Sequence, residues 1–127
     1  MHPQDLRYAP SHEWARREGE LVVVGITQHA VDLLTDLVYI DLPDVGESTS
    51  AAGSFGEVES VKAVSDLYAP IAGEVADVNG DVVNDPSIIA KDPYGKGWLI
   101  KIKPDAGATM DHLLTAAQYE QQIASGH

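Results

Sequence analysis

The chain has 127 residues, and 20 acidic side chains against 8 basic ones give it a formal net charge of −12. Its length points to one domain with a core that needs no staples, and its 44% apolar and 22% charged residues are those of a folded chain rather than a disordered acidic tail. The lack of cysteine excludes disulfides, thiolate metal ligands, iron–sulfur clusters and thiol nucleophiles, while the scarcity of Lys and Arg argues against nucleic acid and favours protein partners with basic surfaces.

In chain order, residues 1–7 carry neither a signal-peptide pattern nor an arginine-rich presequence, so a loose arm on a cytoplasmic, monomeric protein is expected. No run approaches the ~20 apolar residues that span a bilayer. The stretch LVVVGI, Leu21 to Ile26, is the longest aliphatic run and reads as a strand buried on both faces. QHAVDLL, Gln28 to Leu34, reads as a short helix capped by Thr27, with Ala30, Leu33, Leu34 and Leu37 on one face. VYIDL, Val38 to Leu42, is a second strand, stopped by Pro43 and the turn residues Asp44 and Gly46. Near the end, Trp98, Ile100 and Ile102 alternate with Leu99, Lys101 and Lys103 as far as Pro104, giving one apolar and one mixed face, the pattern of a half-exposed strand. Met110, Leu113, Leu114 and Ala117 then recur at helical spacing, which predicts a C-terminal helix over 109–123 with Thr109 as its cap. A mostly β protein with two helices is expected. A faint repeat relates VGES at Val45 to NGDV at Asn79, 34 residues on, and suggests two similar halves.

Between those halves, FGEVESVKAVSDLYAP, Phe55 to Pro70, reads as a hairpin. A turn centred on Lys62 and Ala63 sets Val61 against Val64, Ser60 against Ser65, Glu59 against Asp66 and Val58 against Leu67. Lys and Ala are not the residues that a primed two-residue turn prefers, so a wider turn also fits. The pairing opposes two acids, Glu59 and Asp66, and lifts Lys62 outward on the tip.

Several strings resemble the H proteins of the glycine cleavage system: YAPSHEW (Tyr8 to Trp14), VGITQHA (Val24 to Ala30), VYIDLPDVG (Val38 to Gly46), GEVESVKAVSDLYAPIAGEV (Gly56 to Val75) and PYGKGWLIKIKP (Pro93 to Pro104). The resemblance runs from about Tyr8 to Ile123. It implies a barrel-sandwich hybrid of two quasi-symmetric sheets, with lipoate carried in amide linkage on Lys62. It further implies that Glu59 and Gly73 help a lipoate ligase or a lipoyl (octanoyl) transferase to recognise the protein. Ser11, Glu13 and Asp66 would line the cleft that receives the loaded arm, with Glu13 paired to its amine. The partners implied are the pyridoxal-phosphate glycine decarboxylase (P protein), the tetrahydrofolate-dependent aminomethyltransferase (T protein) and dihydrolipoyl dehydrogenase (L protein), between which the arm shuttles an aminomethyl group. The chain itself would be a carrier and not an enzyme. Biotin carriers have a similar layout but place Met on both sides of the lysine, where this chain has Val61 and Ala63. The terminal SGH lacks the acidic tail of many relatives.

Other chemistries fit less well. The histidines at positions 2, 12, 29, 112 and 127 include no pair at ligand spacing, and no GxSxG elbow is present. Consecutive Ser11, His12 and Glu13 do not make a triad, which needs spatial adjacency. The glycines of YGKG, Tyr94 to Gly97, suit a turn better than a phosphate cradle. The alternative role is a lipoate-relay module that hands lipoyl groups to 2-oxoacid dehydrogenases.

Overall fold

A computed structural model describes residues 5–126. Strands β1 (Arg7–Tyr8), β2 (Glu13–Glu18) and β3 (Leu21–Ile26) form an antiparallel meander, and helix α1 (Gln28–Leu34) follows. Next come β4 (Leu37–Asp41), β5 (Ser48–Thr49), β6 (Ser54–Ser60), β7 (Val64–Tyr68) and β8 (Gly73–Val78). Helices α2 (Gly80–Asn84) and α3 (Ser87–Lys91), strand β9 (Ile100–Pro104) and helix α4 (Ala116–Ala124) complete the described chain. The strands make two antiparallel sheets, six strands in the order β1-β2-β3-β9-β8-β5 and three in the order β4-β6-β7. This is the mostly β, two-sheet architecture expected, with sheets of unequal size.

The continuous apolar run of β3 has its cause in packing on both faces. Val22 and Val24 point with Ile100 and Ile102 into the main core, which Ile40, Val58, Leu67 and Ile71 complete. Val23 points the other way, into a second cluster with Leu6, Tyr8, Trp14, Ala116 and Tyr119. Gly25 lies opposite Trp14 in the β2–β3 ladder, and a Cβ there would stand 2.6 Å from the indole ring. The glycine makes the slot, and the buried indole N–H then donates to the Pro93 carbonyl at 2.9 Å.

Thr27 caps α1 as predicted, accepting from the Ala30 N–H. The buried face of that helix matches the expectation at Ala30, which is covered, and at Leu34 and Leu37, which pack half-buried against the core, but Val31 takes the place of Leu33, which is 54% exposed. Apolar residues at 30, 31, 33 and 34 offer two overlapping stripes, and docking selects one of them.

The C-terminal helix also departs from its predicted span of 109–123, beginning at Ala116. Residues 110–113 instead form a turn, closed by the Leu113 N–H donating to the Met110 carbonyl at 3.0 Å, and Leu114 then pairs with β1, where it and Tyr8 exchange both backbone hydrogen bonds at 2.8 and 2.7 Å. Thr115 is the cap, in a capping box with Gln118. At the other end, the expected loose arm of residues 1–7 does not hold at Leu6 and Arg7. Leu6 is buried and Arg7 belongs to β1, while residues 1–4 lie outside the described residues, as does His127. The proposed repeat does not give two like turns either. Residues 45–48 lead into β5, whereas Asn79 caps α2 and the following residues are helical.

Candidate functional site

The β6–β7 hairpin projects Lys62 at its tip, but in a different register from the one predicted. Glu59 faces Val64, Val58 faces Ser65, Glu57 faces Asp66 and Gly56 faces Leu67. The turn is therefore centred on Val61 and Lys62, closed by the Ser60 N–H donating to the Ala63 carbonyl at 2.8 Å. Relative to the prediction each partner has slipped by two residues, a shift that leaves every side chain on its original face.

Two features hold this register. Buried Ser60 accepts from the Lys62 and Ala63 N–H groups at 3.3 and 3.1 Å, so its hydroxyl organises the turn without glycine or asparagine. On the other flank, β4 sets Asp41 against Glu57 and Tyr39 against Glu59, and the Val61 N–H donates to the Asp36 carbonyl at 3.1 Å.

The opposed acids are thus Glu57 and Asp66, extended by Asp41 into an exposed row of three across the small sheet. Glu59 is exposed on the same outer face, between Tyr39 and Val64. Lys62 is exposed, and among the described residues it makes no ion pair. Its surroundings are apolar for a surface: Val61 is 66% exposed and Val64 57%.

Gly73 has a different setting. It lies buried in β8 between β5 and β9, where a Cβ would stand 2.3 Å from the Lys103 carbonyl oxygen. Close approach of two backbones accounts for glycine at this position.

Ser11, Glu13 and Asp66 are brought together through Tyr68, which the sequence reading did not single out. The Tyr68 N–H donates to Glu13 Oε2 at 3.2 Å, and its hydroxyl donates to Asp66 Oδ2 at 3.4 Å. Ser11 Oγ donates to Glu13 Oε1. The signal that points to Tyr68 is its position two residues after Asp66 on one strand, which puts both on the same face.

Glu13 is 1% exposed, a carboxyl buried at the start of β2. Burial pushes its carboxyl up to about 7, and the hydrogen bonds from Ser11 and Tyr68 only partly oppose that shift. No cation pairs with it among the described residues. A small cavity of about 80 Å³ lies alongside, lined by Pro10, Ser11, Tyr68, Pro70, His112 and Leu113. The arrangement is a buried acceptor poised to titrate near neutrality, beside a hairpin that displays an amine.

Ser11, His12 and Glu13 do not form a triad. Ser11 turns to Glu13, whereas His12 Nδ1 hydrogen-bonds the Tyr119 hydroxyl at 2.6 Å. The fold does bring His12 and His29 together, with ring centroids 4.8 Å apart. No group of three or more metal-ligating side chains occurs among the described residues.

Comparison with known proteins agrees with this architecture. The family model for the glycine cleavage H-protein matches residues 6–126. A glycine cleavage system H protein of Acinetobacter baumannii is 53% identical over 119 residues, covering 94% of this chain and 96% of the relative. One from Carboxydothermus hydrogenoformans is 49% identical over 121 residues, covering 95% and 93%. The crystal structure of a glycine cleavage system H protein from Mycobacterium marinum superposes with a TM-score of 0.90 at 46% identity, covering 97% of this chain and 99% of that one. With a family match across nearly all of its length and relatives of about half-identical sequence, the chain belongs to the glycine cleavage H-protein family.

Proposed function

We propose that this protein is the lipoyl carrier of a glycine cleavage system, with lipoate in amide linkage on Lys62 and an aminomethyl cargo passed from P protein to T protein. It is a carrier subunit and not a catalyst. The observation that carries the reading is an exposed lysine on a hydroxyl-organised β-turn, in a chain that contains no cysteine. Such an amine suits acylation: it is accessible, among the described residues it makes no ion pair, and its turn is held by Ser60 rather than by the lysine itself. When attached, lipoate supplies the dithiol and disulfide chemistry that the protein lacks.

The protein's own residues then receive and hold the arm. Glu13 offers a buried carboxylate with two neutral donors and, among the described residues, no cation of its own. An arriving ammonium provides the missing opposite charge and favours the ionised form, so docking of the cargo and loss of the Glu13 proton are coupled. The small cavity alongside has a largely apolar lining, including Pro10, Pro70 and Leu113, which lessens hydration of the adduct. Asp66 lies at the exposed end of the same hydrogen-bonded series and adds negative charge at the entrance. Glu59 is the recognition residue for a lipoate ligase or lipoyl (octanoyl) transferase, since it is displayed beside the turn. Gly73 contributes through the fold, by allowing β8 and β9 to meet. L protein would be the partner that returns the arm's dithiol to the disulfide, passing two electrons through FAD to NAD.

Intact mass and peptide mapping after incubation with a lipoate ligase, lipoate and ATP test the assignment. One acyl group at Lys62 is expected, with none on the Lys62→Arg variant, which should also be inactive in glycine-dependent CO₂ exchange with P protein. Acylation at another lysine, or exchange supported by the variant, overturns it. Transfer of the acyl group from this protein to a 2-oxoacid dehydrogenase domain would favour the relay role instead.

A further inference from the structure

The loop that presents Ser11 and Glu13 contains an unusual backbone. Tyr8 and Trp14 make the last pair of the β1–β2 hairpin, and the chain turns between them. The Ala9 N–H donates to the Glu13 carbonyl at 2.8 Å, and the His12 N–H donates to the Ala9 carbonyl at 3.0 Å. His12 takes a φ of +77°, a left-handed conformation unfavourable to a residue with a Cβ. Such a turn persists where surrounding contacts over-determine it.

Those contacts converge on one hydroxyl from the far end of the chain. Tyr119 Oη is 2.6 Å from His12 Nδ1 and 2.8 Å from Thr27 Oγ1. Thr27 is itself buried, caps α1, and donates its backbone N–H to the His12 carbonyl at 3.0 Å. Thus His12 is held on its ring by Tyr119 and on its backbone by Thr27, while Tyr119 grips both. The Tyr119 ring is buried and stacked on Tyr8 at 4.7 Å with planes 3° apart, so the hydroxyl is aimed by a rigid ring. The residues on either side of His12 are the two that build the acceptor site: Ser11 donates to Glu13, and Glu13 Oε2 meets the Tyr68 N–H.

We propose that Tyr119 is a positioning residue for the arm-receiving site: its hydroxyl, fixed between His12 and Thr27, locks the left-handed turn that aims the Glu13 carboxylate at Tyr68. Helix α4 is then a brace for the cleft and not only a cover for the second hydrophobic cluster. The functional part of this inference rests on the Glu13 role proposed above; the structural part does not.

Amide hydrogen exchange by NMR on the unmodified full-length protein tests the positioning. In Tyr119→Phe, which keeps the stack on Tyr8, exchange at Tyr68 and Ala9 should quicken by about tenfold, while Val24 and Ile102 in the main sheet change by less than about twofold. His12→Ala keeps the left-handed penalty without the imidazole anchor, whereas His12→Gly adopts that conformation freely. Exchange at Tyr68 should therefore be faster in His12→Ala than in His12→Gly, and adding His12→Gly to Tyr119→Phe should restore protection. The histidine pair tests whether the left-handed turn controls the Tyr68 amide even if the tyrosine variant fails to fold.

A uniform rise in exchange across the sheet, an unchanged Tyr68 amide, or equal effects of alanine and glycine at position 12 would overturn the proposal and leave Tyr119 an ordinary core residue. In lipoylated protein, the half-life of the aminomethyl cargo should shorten several-fold in Tyr119→Phe. An unchanged half-life in Glu13→Ala would sink the Glu13 role alone, because the exchange measurements need no lipoate.

Discussion

Replacing Glu13 by glutamine removes one titrating group and keeps an acceptor oxygen for the Tyr68 N–H. Glu13 is held at about 7 against an ordinary 4.5, because burial strips the carboxylate of water and, among the described residues, no cation replaces it. Below the lower value both folded and unfolded chains are protonated, and this group leaves stability unchanged. As pH rises from about 4.5 to 7 the unfolded chain gives up its proton while the native one retains it, so stability falls with pH and the loss is complete above 7. A shift of that size corresponds to about 3 kcal/mol.

The assay is urea unfolding of wild type and Glu13→Gln at half-unit steps from pH 4 to 8. The difference between the two curves cancels the other carboxylates. The variant should gain about 3 kcal/mol on the wild type across that range, a relative midpoint shift on the order of 1–3 M urea. A difference that stays flat, or that grows toward low pH, would refute the picture of a desolvated, unpaired carboxyl.

Two further substitutions test the hairpin and its support. Ser60→Ala removes the hydroxyl that accepts from Lys62 and Ala63, and it should cost about 1–3 kcal/mol in chemical denaturation while slowing acylation of Lys62. Gly73→Ala forces a Cβ against the Lys103 carbonyl and should destabilise the sheet by about 1–3 kcal/mol or more. Acylation in the Gly73→Ala variant should fail only under conditions where unfolding is measurable; a fully folded variant that the ligase rejects would instead make Gly73 a direct recognition residue.

Local pattern carried a good part of this molecule. The unbroken apolar run at Leu21 to Ile26 is a strand with packing on both sides, Thr27 caps its helix, and Lys62 lies on a turn between two strands. Each rests on neighbours in the chain: a side-chain period, a hydroxyl one residue before a helix, a break between alternating segments. The C-terminal helix shows the limit of such reading. Helical spacing from Met110 was real, yet Thr115 with Gln118 was the operative cap, and a turn over 110–113 followed by the pairing of Leu114 with Tyr8 kept the helix from beginning earlier.

The hairpin register was not written in the hydrophobic pattern. A slip of two residues preserves which side chains face in and which face out, so hydrophobic pattern is blind to it. The choice was made by Ser60 and by the third strand beside it. The Glu13 environment was equally hidden. Whether a carboxylate is solvated or buried depends on what lies over it, and here that is a strand more than fifty residues away, meeting it through a backbone N–H that no side-chain pattern records. Sequence pattern alone determined the displayed amine and the mostly β class, because those are properties of segments, whereas the two-sheet arrangement was implied only by the family resemblance. Only the tertiary structure decided the acceptor site, because desolvation and hydrogen bonding between distant segments exist only after they have packed.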